Sequence, residues 1–164
     1  MRRLILMRHA KSDWHCGGLS DHDRPLNKRG RRSADAMGAW LRNEGYLPDQ
    51  VLCSSAQRTR ETLERLQLTG EPDITFHRAL YLAHASAMLD SLRAADGRCV
   101  LMLGHNHGLA DLAHALVSQP PDHDRFDDYP TAATLVCDFE GDQWKETGQH
   151  SGRPVSFVVP RELI

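Results

Sequence analysis

Arginine and histidine side chains follow three short apolar runs of the sequence. The runs are residues 4–7, 51–53 and 99–103. The side chains that come after them are Arg8, His9, Arg58 and His105. Continuous apolar runs of this length are typical of strands buried on both faces, and ligands of open α/β sheets bind beyond the carboxyl ends of the strands. We therefore expect these four side chains to meet at one edge of a sheet.

This set of side chains suits a dianionic phosphoryl group. Guanidinium groups bind phosphate oxygens in a bidentate manner, and helix N-termini after Ser55 and Gly108 would add backbone N–H donors. One neutral imidazole can act as a nucleophile, while a second, protonated imidazole can stabilise charge on the transferring group. The three segments contain no carboxylate, whose charge would oppose the binding of an anion.

The elements that must position these residues alternate between strands and helices. Apolar spacing predicts four helices. The first follows Asn27 and ends at Gly45, and the fourth spans residues 109–117. Ser54 and Ser55 are predicted to cap the second helix, and Ser86 the third. Further strands are predicted at residues 74–76, 133–139 and, at an edge, 155–159, with a loop at 118–130 and a hairpin turn at 140–142. This alternation predicts a three-layer α/β/α sandwich with a mostly parallel central sheet.

Several blocks of the sequence, taken together and in order, resemble the histidine phosphatase superfamily, formerly the phosphoglycerate-mutase-like group. They are Arg8-His9-Ala10-Lys11-Ser12, Asp23-Arg24-Pro25-Leu26 with Arg29-Gly30, the S-S-x-x-R-T-x-x-T pattern from Ser54 to Thr62, Gly104-His105-Asn106, and Pro130-Thr131-Ala132. More narrowly, the blocks look like those of the small SixA-type phosphohistidine phosphatases. The resemblance extends from about Leu4 to Phe139.

The resemblance implies a role for each matching residue. His9 would be the nucleophile that accepts the phosphoryl group, and water would then hydrolyse the phosphohistidine. Arg8, Arg58 and His105 would complete the phosphate pocket, and Arg24 would reach in from the loop after the first strand. Two further residues, Ser12 and His107, are candidates for substrate contact. No metal and no cofactor is expected.

The sequence departs from the family pattern in ways that bear on the substrate. Many members have Gly directly after Arg-His, where this chain has Ala10, and Asn where it has His15. Larger members also use a carboxylate between the second and third blocks as general acid. Residues 77–84 contain no carboxylate. An alkyl phosphate needs a proton donor, typically worth about 10²–10⁴-fold in rate, whereas a phosphorylated imidazole can depart as a neutral ring. The pattern favours a phosphoramidate, or a phosphate with an already good leaving group, over sugar phosphates. Asp21 and Asp23 are interpreted as solvated turn residues rather than as substitute donors.

Other functions remain open at this point. A small-molecule phosphomonoesterase acting on a nucleotide, sugar or cofactor phosphate is the nearest alternative, and a phosphate-binding module without catalysis is another. The ten histidines and the pair His105 and His107 invite a zinc or iron hydrolase. That class is disfavoured because the chain lacks an H-E-x-x-H helix and a histidine and carboxylate cluster at ligand spacing.

Composition limits the remaining possibilities. The 164 residues carry 20 Lys and Arg against 22 Asp and Glu, for a net charge of −2, which gives no footprint for nucleic acid or an anionic membrane. The length predicts a single domain, residues 1–164, with no large cap insertion and hence a shallow pocket open to a side chain on a protein surface. We expect a monomer in the cytoplasm whose four dispersed cysteines stay reduced, and either a phosphorylated protein or a small phosphate as substrate.

Overall fold

The computed structural model describes all 164 residues. The strands are β1 (Arg2–Arg8), β2 (Gln50–Ser54), β3 (Asp73–His77), β4 (Cys99–Gly104), β5 (Thr134–Phe139) and β6 (Arg153–Val158). The α-helices are α1 (Lys28–Glu44), α2 (Gln57–Leu66), α3 (Ala85–Arg93) and α4 (Gly108–Leu116). Short 3₁₀ helices lie at Asp21–Asp23, Arg78–Leu80, Trp144–Glu146 and Pro160–Glu162.

The six strands form one sheet in the order β3-β2-β4-β1-β5-β6. The first four strands of that order are parallel to one another, while β5 is antiparallel to both β1 and β6. The predicted mostly parallel sheet is therefore confirmed. Arg8 at the end of β1 pairs with Gly104 at the end of β4, so the carboxyl ends of these strands lie level with one another.

Helices cover both faces of the sheet, which confirms the three-layer sandwich. Leu4 and Leu6 of β1 pack in the core cluster that includes α3 and α4. Ile5 and Met7 pack in the other cluster, with α1 and α2. Successive side chains of a strand point to opposite faces, so one continuous apolar run supplies both cores.

The ends of α1 agree with the sequence, but the three serines predicted to cap α2 and α3 do not do so. The side chain of Asn27 accepts a hydrogen bond of 2.8 Å from the N–H of Gly30, and Gly45 ends α1 in a left-handed conformation. Ala56 and His84, not the serines near them, occupy the N-cap positions of α2 and α3, and neither makes a side-chain cap. The predicted caps Ser54, Ser55 and Ser86 therefore fail, and the hydroxyls of the first two are hydrogen-bonded to histidine rings instead.

The C-terminal part forms an antiparallel edge. Residues 118–130 contain no helix or strand, as predicted. The predicted hairpin turn at 140–142 is wrong, because these residues form a bend that leads into the 3₁₀ helix at Trp144–Glu146 rather than into a strand. The edge strand β6 begins at Arg153, slightly earlier than predicted, and pairs with β5. All four cysteines are free thiols. None of the helices combines the length and the apolar character needed to cross a membrane.

Candidate active site

A cavity of about 370 Å³ opens at the carboxyl ends of β1, β2 and β4. Its lining consists of Arg8, His9, Lys11, Ser12, Trp14, Asp21, Arg24, Arg58, Leu82, His105, Asn106 and Thr131. All but one of the residues predicted from the sequence are in this lining. The exception is His107, which is exposed and lies at the N-cap of α4 outside the cavity. A larger groove of about 650 Å³ between α2 and β3 contains no histidine.

His9 is held as a neutral imidazole with one free ring nitrogen. The residue is 7% exposed, and its Nδ1 donates a hydrogen bond of 2.6 Å to the carbonyl oxygen of Ala10. Because a carbonyl oxygen only accepts, the ring proton belongs on Nδ1 and the lone pair on Nε2. Burial lowers the pKa of His9 well below its ordinary value, and the nearby charges of Arg58 and Arg8 lower it further. At neutral pH Nε2 is therefore available as a nucleophile.

His105 is also neutral. Its ring centroid lies 5.2 Å from that of His9, and its Nε2 is hydrogen-bonded to Oγ of Ser54 at 2.8 Å. Burial, with the charge of Arg58, lowers the pKa of His105 to about 3. Burial beside a guanidinium therefore favours the neutral ring of His105 in this structure, whereas the sequence analysis expected a protonated second imidazole on the transferring group. The Nδ1 atom of His105 is buried without a partner in the protein.

Positive charge exceeds negative charge around the two rings. Four cationic side chains line the cavity, namely Arg8, Lys11, Arg24 and Arg58, against one carboxylate, that of Asp21. Arg8 donates one hydrogen bond of 3.2 Å to the carbonyl of Tyr129, and its Nε is buried without a partner. Burial and the charge of Arg58 lower the pKa of Arg8, which reflects the cost of holding this group without a counter-ion. The site is therefore complementary to an anion.

Asp21 brings a carboxylate into the cavity that the sequence analysis placed on a solvated turn. It forms ion pairs with Arg24 at 2.9 Å and Arg58 at 3.1 Å, and it accepts a hydrogen bond from the hydroxyl of Tyr81. Partial burial alone would raise the pKa of Asp21, but the hydrogen bonds from Tyr81 and Arg24 and the charge of Arg58 hold it well below its usual range. The carboxylate is thus ionised and cannot donate a proton at neutral pH. The spacing of Asp21 and Arg24, three residues apart, was the only sequence signal for this pairing.

Arg24 and Ser12 contact each other at the cavity wall. Nη1 of Arg24 donates to Oγ of Ser12 at 2.7 Å and to the carbonyl of Asp13 at 3.2 Å. The guanidinium also stacks on the exposed ring of Trp14, 3.7 Å from its centroid. These contacts, with those to Asp21, occupy all three nitrogens of Arg24. Arg24 thereby fixes the loop that carries Asp21.

Close backbone contacts hold the three strand ends together. The hydroxyl of Thr62 in α2 accepts from the N–H of Ala10 at 3.0 Å and donates to the carbonyl of Arg58 at 2.7 Å, linking the segment after β1 to α2. A Cβ atom at Gly108 would lie 1.9 Å from the carbonyl oxygen of Ala83, so only glycine lets α4 begin this close to the segment before α3. No group of three or more His, Cys, Asp or Glu side chains is arranged to hold a metal ion.

Comparison with known proteins gives the class to which this fold and site belong. The sequence profile of the histidine phosphatase superfamily (branch 1) matches residues 4–81. A structure from Nakamurella multipartita, provisionally named phosphohistidine phosphatase SixA, is 30% identical, with a TM-score of 0.82 over 97% of this chain and 96% of that one. The chain belongs to the histidine phosphatase superfamily, as the sequence blocks indicated.

Other relatives agree with this placement. A structure from Agrobacterium tumefaciens with the same provisional SixA name is 26% identical, with a TM-score of 0.80 over 97% of this chain and 98% of that one. An uncharacterised protein of Mycobacterium leprae is 32% identical over 94% of this chain and 100% of its own length. An uncharacterised chloroplastic protein of Arabidopsis thaliana is 36% identical over 70% of this chain, which spans 59% of that protein. The resemblance to SixA proteins predicted from the sequence is thereby confirmed at the level of fold.

Proposed function

We propose that this protein is a metal-independent phosphatase that forms a phosphohistidine on His9 and acts on protein phosphohistidine. One observation carries the proposal. His9 is neutral, with the lone pair on Nε2, and it lies in a cavity where four cationic side chains face a single carboxylate. A neutral imidazole beside an anion-binding site is suited to attack phosphorus.

The mechanism has two displacements at phosphorus. In the first, Nε2 of His9 attacks in line, and the electron pair of the breaking bond leaves with the substrate. Arg8, Arg58 and His105 stabilise the charge on the phosphoryl oxygens, because each lines the cavity before the reaction and has a buried nitrogen without a partner in the protein. In the second, water attacks the phosphorylated His9 and releases phosphate, which restores the free imidazole.

The substrate class follows from the absence of a protonated carboxyl group that could act as general acid. The segment at 77–84 contributes Leu82 to the cavity but no carboxylate, and Asp21 is ionised. An alkoxide leaving group would depart without protonation, which is slow, whereas a ring protonated on its other nitrogen departs as neutral imidazole. The SixA name of the two related structures supports the same choice.

A substrate panel tests the proposal. The wild type, His9→Ala and His107→Ala are assayed on a phosphohistidine peptide, sugar phosphates and nucleotides, with and without a chelator. We expect wild-type turnover to be highest on the peptide and unaffected by chelation, His9→Ala to be inactive, and the exposed control His107→Ala to match wild type. An acid-labile, alkali-stable phosphoenzyme should form in the wild type and not in His9→Ala.

Three outcomes would contradict the proposal. Comparable kcat/KM on sugar phosphates or nucleotides would assign the protein to the small-molecule phosphomonoesterases. Wild-type activity of His9→Ala would show that His9 is not the nucleophile. Phosphate binding without any phosphoenzyme or turnover would favour a binding module.

A further inference from the structure

Asp21 lines the cavity but has no part in the mechanism described above. Its side chain is 44% exposed, while His9 is 7% exposed, so the carboxylate lies on the solvent side of the cavity and the nucleophile on the buried side. It is the only carboxylate in the lining. Its negative charge therefore acts on whatever part of a substrate lies toward the opening.

In-line transfer places the leaving group opposite the nucleophile. With His9 on the buried side, the leaving group must point toward the opening, where Asp21 lies. An ionised carboxylate there attracts a leaving group that carries positive charge. It repels a leaving group that carries a second anion, such as a carboxylate next to a phosphate ester.

We propose that Asp21 is a specificity-determining residue that binds the protonated nitrogen of a phosphoramidate leaving group, an inference that rests on the proposed function. The substrate ring donates the N–H of its unphosphorylated nitrogen to Asp21. Nε2 of His9 forms its bond to phosphorus while the P–N bond of the substrate breaks. The electron pair of that bond stays on the substrate nitrogen, so the ring leaves as neutral imidazole and no external acid is consumed.

The hydrogen bonds of Asp21 show how it could accept the substrate. Arg24 donates twice to Oδ1, at 2.9 and 3.2 Å, while Arg58 and Tyr81 both donate to Oδ2. These bonds fill the four acceptor positions of a carboxylate. A phosphoryl dianion competes with Asp21 for Arg58, and once Arg58 turns to the phosphoryl oxygens one position on Oδ2 is free. Binding of the phosphoryl group thus prepares Asp21 for the leaving group.

The test compares two substrates that differ in the charge of the leaving group. The wild type, Asp21→Asn and the control Asp23→Asn are assayed on a phosphohistidine peptide and on p-nitrophenyl phosphate. Asp23 lies in the same 3₁₀ helix but outside the cavity lining, which makes it a matched control. We expect Asp21→Asn to lower kcat/KM on the peptide about 10- to 100-fold, the loss of a charge-assisted hydrogen bond. On p-nitrophenyl phosphate kcat/KM should stay the same or rise, because Arg58 loses a competing anion.

The ratio of the two kcat/KM values in one preparation does not depend on the fraction of folded protein. Asp21→Glu, which keeps the carboxylate, should recover part of the wild-type ratio. An equal loss on both substrates would mean that Asp21 only holds Arg24 and Arg58 in place, and an equal gain would mean that it only competes for Arg58. Either result overturns the inference while leaving the proposed function intact. A wild type that is phosphorylated on His9 by p-nitrophenyl phosphate but does not hydrolyse phosphohistidine refutes the proposed function itself.

Discussion

The buried, neutral rings of His9 and His105 lie beside the guanidinium groups of Arg8, which is half-buried, and Arg58, which is buried. Burial, and then the charges of Arg58 and Arg8, lower the pKa of His9 and of His105, so both rings stay neutral where an ordinary histidine would begin to gain a proton. A neutral ring is what a nucleophile requires. The same arrangement has a cost for stability at acid pH.

The first prediction concerns that cost. Because the pKa of His105 is lowered to about 3, the unfolded chain binds a proton below pH 6.5 that the folded chain does not, and stability falls as pH decreases from about 6.5 toward 3. His105→Gln removes this contribution. Between pH 7 and pH 5 the free energy of unfolding should fall by about 2 kcal/mol less in the variant than in wild type. Urea titrations at both pH values measure the free energy of unfolding. An equal decrease from pH 7 to pH 5 in the two proteins would contradict the prediction.

The second prediction separates Arg58 from its neighbour in α2. Arg58 is 3% exposed in the cavity, whereas Arg60 is exposed, outside it, and stacked on Phe76. Arg58 is expected to bind the phosphoryl oxygens in the ground state and more tightly in the transition state. Arg58→Ala should therefore raise KM and lower kcat, with kcat falling about 10²–10³-fold. Arg60→Ala should stay within about twofold of wild type. Steady-state kinetics on one substrate give both comparisons, and equal losses in the two variants would remove the assigned role.

At the scale of elements, the site depends on a side-chain hydrogen bond between two backbone segments and on two glycines where backbones approach closely. Thr62 ties α2 to the segment after β1, and Gly108 lets α4 begin beside the carbonyl of Ala83. Gly30 does the same for α1, because a Cβ atom there would lie 2.0 Å from the carbonyl oxygen of Lys11. The segment that carries His9 is thus clamped by two helices.

The third prediction uses Gly30. Gly30→Ala forces α1 away from the Lys11 backbone and should destabilise the protein by about 1–3 kcal/mol, as overpacking does elsewhere. Gly17→Ala is the control, since a Cβ atom there has no neighbour within 4 Å. Thermal unfolding of the two variants measures the effect. A Gly30→Ala protein as stable as Gly17→Ala would show that α1 can shift freely.

At the scale of the whole molecule, the cavity and a second packed region lie at opposite ends of the strands of the sheet. At the amino end of β1, the guanidinium of Arg2 lies 4.8 Å from the ring of Trp144, whose Nε1 donates to the carbonyl of Gly97 at 2.6 Å. The seven residues of β1 place this region roughly 20 Å from the cavity. Stability and activity should therefore be separable by mutation.

The fourth prediction tests that separation. Trp144 is 2% exposed, and Trp144→Ala should cost about 3–5 kcal/mol of stability by opening a cavity. Under conditions where the variant stays folded, its kcat/KM should equal that of wild type. Trp14, which is 72% exposed, is the stability control, and Trp14→Ala, which removes only its stacking on Arg24, should lower the free energy of unfolding by at most about 1 kcal/mol. A fully folded Trp144→Ala protein with reduced kcat/KM would mean that the two ends of the sheet are coupled.

Local patterns predicted much of this molecule because they reflect local physics. Apolar runs placed the strands, Asn27 and Gly45 placed the ends of α1, and residues after the strand signals proved to line one cavity. The serine caps failed because two of the hydroxyls have partners far along the chain, the rings of His22 and His105. The preference of serine for N-cap positions is a local property, so it does not predict a hydrogen-bond partner that lies far away in the sequence.

The sequence by itself determined the fold class, the family and six of the side chains that line the cavity, since these depend on residue type, spacing and order. Only the tertiary structure decided the protonation of the two histidines, the attacking nitrogen of His9 and the place of Asp21 in the cavity. Each of these depends on burial, on a carbonyl oxygen within hydrogen-bonding distance, or on a charge from another part of the chain. Such effects decay over a few ångströms in space and carry no signature in sequence distance.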